Sequence, residues 1–153
     1  MKRIRSRAGN LFIGILAMTA IGCVVPQTEA GQETTKTLYD RLGGKAAITA
    51  VVDQFVTNVA DDKRINARFS TTDIPRLKKN LVDQVCMASG GPCTYSGRDM
   101  TTTHAGMKIT AADFNALVED LVASLNKFKV SETEKKDLLG ILGPMKKDIV
   151  EIP

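Results

Sequence analysis

Between Lys45 and Ala60 the residues Ile48, Val51, Val52, Phe55, Val56 and Val59 recur at i, i+3, i+4, i+7, i+8 and i+11. That spacing lines side chains along one face of an α-helix. The same pattern returns twice. Asp73 is a good N-cap with Pro75 close to the first helical position, and Leu77, Leu81, Val82 and Val85 then point inward as far as Gly90-Gly91-Pro92. Thr110 caps a helix carrying Phe114, Leu117, Val118, Leu121, Val122 and Leu125 on one side. Ser131-Glu132-Thr133-Glu134 reads as a capping box opening a last helix with Leu138, Leu139, Ile141 and Leu142 inward, broken or kinked at Gly143-Pro144. Leu38 to Leu42 is expected to be a short helix stopped by Gly43-Gly44, residues 90–100 a loop, and the segment at His104 a short helix at most. No stretch alternates with the period of a strand, so the domain is expected to be all-α.

The amino-terminal part has a different character. Lys2, Arg3, Arg5 and Arg7 precede an apolar run from Leu11 to Ile21 that is too short to span a bilayer comfortably, the layout of a signal peptide over residues 1–22. Ala20-Ile21-Gly22-Cys23 resembles a bacterial lipoprotein box, with Ala20 where leucine is commoner. Residues 23–37 are then a lipidated cysteine and a flexible polar tether, and 38–153 the folded domain. This layout implies an exported lipoprotein anchored to the membrane and facing the periplasm. An ordinary cut near Ala30, giving a soluble periplasmic protein, is the alternative.

The leader holds four of the 21 Lys and Arg and none of the 17 Asp and Glu, leaving 17 of each. The mature chain is neutral, and a nucleic-acid partner is not expected. Export also frames Cys86 and Cys93, which flank Met87-Ala88-Ser89-Gly90-Gly91-Pro92: a disulfide stapling a helix end to its loop, or two unpaired thiols.

His104 is the only histidine in 153 residues. It cannot share a zinc ion with a second histidine, and no G-x-S-x-G elbow accompanies it. One imidazole is sufficient as the axial ligand of a haem iron. The alternative is a half-buried histidine capping a helix turn. A flat apolar cofactor held between His104 and the faces bearing Val56, Leu77, Leu81 and Val85 would bury on the order of several hundred Å², worth many kcal/mol at about 25 cal/mol per Å². Periodicity does not separate that arrangement from a core packed on itself.

From Leu38 onward the chain resembles a group I truncated haemoglobin. The resemblance rests on Leu38-Tyr39-Asp40-Arg41-Leu42-Gly43-Gly44, Gly90-Gly91-Pro92, Tyr95-Ser96-Gly97-Arg98-Asp99-Met100 and His104-Ala105-Gly106-Met107-Lys108-Ile109-Thr110, in order and at compatible spacings. It implies a shortened globin fold, two helices over two, around a b-type haem. His104 is then the proximal iron ligand, and Phe69 packs on the porphyrin near a helix corner. Met100 and Met107 are expected either at the porphyrin edge or in ordinary packing, and Tyr95 either in the pocket or on its own loop. Lys78 and Lys79 are expected on a solvated face, with haem propionates, or the iron itself, as alternative partners.

Counting from Gly43-Gly44, Val56 falls where many members of that family carry a tyrosine that hydrogen-bonds oxygen; Leu77 and Leu81 take the other distal positions, Leu81 replacing a common glutamine. The distal pocket is therefore expected to be apolar, and tight oxygen storage is not. The resemblance implies reversible binding of oxygen, carbon monoxide or nitric oxide, with an unidentified reductase. Nitric oxide dioxygenation or weak peroxidase activity is the catalytic alternative, and Val56 argues against the former. A haem-free helical lipoprotein module is the third reading.

Overall fold

The computed structural model describes residues 36–152. The expected signal segment, Cys23 and the tether through residue 35 lie outside the described residues. The described chain forms α1 (Leu38–Arg41), α2 (Gly44–Asp61), α3 (Ile74–Ala88), α4 (Met100–His104), α5 (Ala111–Lys127), α6 (Glu132–Leu142) and α7 (Lys146–Ile149), with 3-10 turns at Asn66–Phe69 and Gly143–Met145. Helix α2 packs on both α3 and α5. The pairs α2/α3 and α5/α6 make the two layers of a two-over-two helical sandwich. Among the described residues the β pairing consists of one isolated parallel bridge, Thr110 to Ile152.

Helices α1, α3, α4, α5 and α6 start where a capping side chain accepts from a first-turn N–H. Asp73 accepts the Arg76 N–H to open α3, with Pro75 in the first turn, and Asp99 accepts the Thr102 N–H to open α4. Thr110 and Asp113 form a full capping box at α5. The expected box at α6 is only half there. Ser131 accepts the Glu134 N–H, but the Glu134 carboxylate takes the Ser131 hydroxyl and Arg41 instead of a backbone N–H. Arg41 also meets Asp137 at 2.6 Å, so α1 is tied to α6 by a forked ion pair.

The α2 stripe is the spine of the core: Ile48, Val52, Phe55, Val56 and Val59 are all buried, beside Val82 and Val85 from α3, Leu125 from α5 and Leu138 from α6. Cys86 and Cys93 are joined in a disulfide with Cα atoms 5.7 Å apart. It ties the end of α3 to the loop leading into α4. Gly91 lies inside this knot, where a Cβ would fall 2.4 Å from the Tyr39 ring and 2.7 Å from Cys86 Sγ. No larger residue fits without moving backbone.

Two carboxylates within the bundle behave oppositely. Asp83 is buried on α3 but accepts from Lys79 at 2.7 Å and Lys45 at 3.3 Å; the Lys79 hydrogen bond, with help from Lys45, holds its carboxyl below the ordinary value. Asp120 on α5 keeps a buried Oδ2 with no hydrogen-bond partner. Burial, then the charge of Asp62, push its carboxyl above the usual 3.8. Its ionised form is thus less favourable folded than unfolded, a deficit that develops as pH rises from that ordinary value through the folded one. Asp120→Asn is expected to raise the melting temperature near pH 7, with the gain shrinking as pH falls towards about 4. Equal melting shifts at both pH values would refute this account of Asp120.

Candidate functional site

The inner faces of α2 and α3 on one side, and of α4, α5 and the chain after α6 on the other, enclose a cavity of about 450 Å³ lined almost wholly by apolar side chains. That volume lies within the roughly 300–1,000 Å³ of small-molecule and cofactor sites.

One wall comes from the amphipathic helices. Val56, from the middle of the α2 stripe, lies on it with Phe55 and Val59; Leu77, Leu81 and Val85 come from successive turns of α3. Phe69 reaches the same space from the 3-10 turn that follows α2. The facing wall holds His104 and Met100, one helical turn apart on α4, and Phe114, Leu117 and Leu121 from α5.

Two of the residues expected near this space stand elsewhere. Tyr95 is not on the cavity wall: its hydroxyl donates to the Arg98 carbonyl at 2.8 Å, and its ring folds over Gly97, where a Cβ would come within 2.3 Å of the hydroxyl oxygen. A tight turn uses up the phenol. Met107 is 40 % exposed, because the chain turns outward at Gly106 immediately after α4.

His104 has one ring nitrogen committed. Nδ1 lies 2.8 Å from the Met100 carbonyl oxygen, which can only accept, so Nδ1 carries the proton and donates. The neutral ring then keeps its lone pair on Nε2, the tautomer required of a metal ligand, and the carbonyl fixes ring orientation. Among the described residues there is no cluster of three or more His, Cys, Asp and Glu side chains able to hold a metal ion. A metal here needs its other ligands from an organic cofactor. One imidazole facing a greasy slot of this size fits a haem.

The hydrogen-bond donors on the wall besides His104 are already engaged. The Lys78 ammonium meets Asp53 at 2.9 Å across α2 and α3. Lys79 turns instead to Asp83. The Thr57 hydroxyl donates to the Asp53 carbonyl at 3.0 Å. Gln84 directs its amide at the sulfur of Met145, 3.3 Å away, and more distantly at that of Met100.

Sequence reasoning placed Phe114, Leu117 and Leu121 in the core without assigning them to a pocket. It left out Gln84, Met145 and Ile149 altogether. The α5 stripe marked an inward face, but its spacing is the same whether that face meets side chains or a cavity. Met145 and Ile149 had no signal, since they arrive only because the Gly143–Met145 turn redirects the chain after α6.

Residues 37–151 match the bacterial-like globin family. The group 1 truncated haemoglobin of Tetrahymena pyriformis is 35% identical over 116 residues, covering 69% of this chain and 96% of that protein. Its crystal structure in the Fe(III) form superposes with a TM-score of 0.73 at 32% identity, covering 75% of this chain and 98% of that one. The 2/2 haemoglobin of Synechococcus sp. PCC 7002, solved in the cyanomet state with covalently attached haem, gives a TM-score of 0.71 at 30% identity over 75% of this chain and 98% of that one. The family match spans the whole helical domain, its capped helices and its single histidine alike, and the chain belongs to the bacterial-like globins as a truncated globin.

Proposed function

We propose that the chain is a haem globin of the group 1 truncated type that reversibly binds small diatomic gases. The observation that carries this reading is the set of His104 and the cavity together: an imidazole with Nδ1 locked to the Met100 carbonyl, opposite an apolar wall built by Val56, Leu77 and Leu81. A b-type haem held there, with His104 as its protein ligand, would supply an iron able to bind oxygen, carbon monoxide or nitric oxide.

The protein's own residues do the rest. Phe69, Leu81, Val85 and Met100 offer apolar contact for a porphyrin, and the same surfaces exclude water from its centre. Val56 is 8 % exposed, and neither it nor Leu77 nor Leu81 can donate a hydrogen bond. Lys78 is held by Asp53, Thr57 is turned to backbone and the Gln84 amide is directed at the Met145 and Met100 sulfurs, so none of these donors is left free to stabilise negative charge on a bound gas. The geometry therefore favours fast exchange over tight storage of oxygen.

His104→Ala is expected to lose most of its hemin and the accompanying visible absorbance. Full retention with an unchanged spectrum would remove His104 from the site. Val56→Tyr restores a donor worth roughly 1.5–3 kcal/mol towards a charged acceptor, so oxygen release should slow by about one to two orders of magnitude. Stopped-flow displacement of oxygen by carbon monoxide measures it, and an unaltered rate would show that position 56 does not face the gas.

The placement of the protein is part of the same proposal. The basic start, the short apolar run and Ala20-Ile21-Gly22-Cys23 support export with a lipid on Cys23, tethering the globin at the periplasmic face of a membrane. Cys23→Ser is expected to abolish labelling by radioactive palmitate and release the globin from the membrane fraction. Labelling that survives the substitution would rule out this anchor.

A further inference from the structure

The loop that follows His104 has almost no support of its own. Helix α4 spans five residues and ends at once in Ala105, and both Gly106 and Lys108 adopt positive φ, 76° and 54°. Lys108 is not a glycine, so its conformation has to be held from outside.

Two distant segments hold it. Glu151, near the far end of the chain, grips the loop with both carboxylate oxygens: Gly106 N–H donates to Oε1 at 2.6 Å and Lys108 N–H to Oε2. The backbone around it clamps the same region, with Glu151 N–H and Ile152 N–H both donating to the Ile109 carbonyl and Ala111 N–H donating to the Ile152 carbonyl. From the other side Arg68 donates to the Met107 carbonyl at 2.9 Å while paired with Asp113 at 2.6 Å. Arg68 is the neighbour of Phe69, which lines the cavity.

The clamp is continuous with the site. Helix α7 packs on α4, Met145 just before its start and Ile149 at its end contribute to the cavity wall, and the Met107 N–H donates to the carbonyl of His104 itself at 3.1 Å. Only Val150 separates Ile149 on the cavity wall from Glu151 on the loop.

We propose that residues 145–152 form a latch over the His104 side of the cavity, with Glu151 as a positioning residue that sets the orientation of the imidazole through the 106–108 loop. The latch rests on the reading of His104 as the haem ligand. Bidentate acceptance from two backbone N–H groups is charge-assisted and fixes loop position and direction at once. Arg68 opposes it from the other side, so the loop is held between an anion and a cation. Without the Glu151 carboxylate the Gly106 and Lys108 N–H groups lose their acceptor, the loop keeps only Arg68 and the backbone bonds at its two ends, and the imidazole gains freedom to tilt.

The test compares hemin-loaded wild type with Glu151→Ala and Glu151→Gln. Haem transfer to excess apomyoglobin and the iron–imidazole stretching band of the ferrous proteins are the two readouts. Glu151→Ala is expected to release haem about tenfold faster and to shift or broaden that band. Glu151→Gln, which keeps one acceptor oxygen, should fall between. A wild-type release rate and band in Glu151→Ala would overturn the latch while leaving His104 as ligand. A lowered melting temperature with the band unmoved in Glu151→Gln would also overturn it, since Glu151 would then be a structural brace only. Wild-type protein that takes up no hemin would overturn the haem reading first and the latch with it.

Discussion

A small helical domain that holds open an apolar space of about 450 Å³ is under a constraint that shapes everything else in it. Apolar side chains around an unfilled space forgo packing contacts and stay exposed to water. Whole domains of this kind are stable by only about 5–15 kcal/mol. The cofactor is accordingly a structural part of the core as well as the seat of gas binding. The residues around it form a rim that would collapse or fill with water without it, while the tightly packed part of the core lies to one side, where Cys86, Leu125 and Leu138 are nearly inaccessible.

That division explains how the polar groups are spent. Charged residues brace the frame around the cavity and leave its interior apolar. Arg41 forks to Glu134 and Asp137, Arg68 to Asp113 and two loop carbonyls, and Lys45 and Lys79 converge on the buried Asp83. Exposed pairs of this type add little stability singly, but each joins elements that the apolar contacts leave unpinned. Asp120 is the exception, a carboxylate oxygen buried without a partner. The single imidazole is treated differently again: one nitrogen is satisfied by backbone and the other is left with its lone pair.

The features legible in the sequence were those with local causes. The stripe from Ile48 to Val59, the caps at Asp73 and Thr110, and the short helix at His104 all appear where spacing and end chemistry put them. Val56, Phe69, Leu77, Leu81, Val85, Met100 and His104 do share one cavity. Tyr95 and Met107 do not: the first is consumed by a turn closing on Gly97, and the second is thrown outward at Gly106. Both outcomes depend on loop backbone, where neighbouring residues compete for partners that periodicity does not describe.

The sequence alone therefore determined an all-α chain, the inward face of each long helix and a lone imidazole as the chemically exceptional side chain, because helical spacing and composition act over one or two turns. Only the tertiary structure decided that these faces stop short of one another and leave a slot. It also decided that Cys86 bonds to Cys93, and that the last residues of the chain return to brace the His104 loop. The slot and the Glu151 contact join residues far apart in the chain, and the disulfide, though it spans only seven residues, depends on how the loop after α3 turns back; no periodic pattern encodes either.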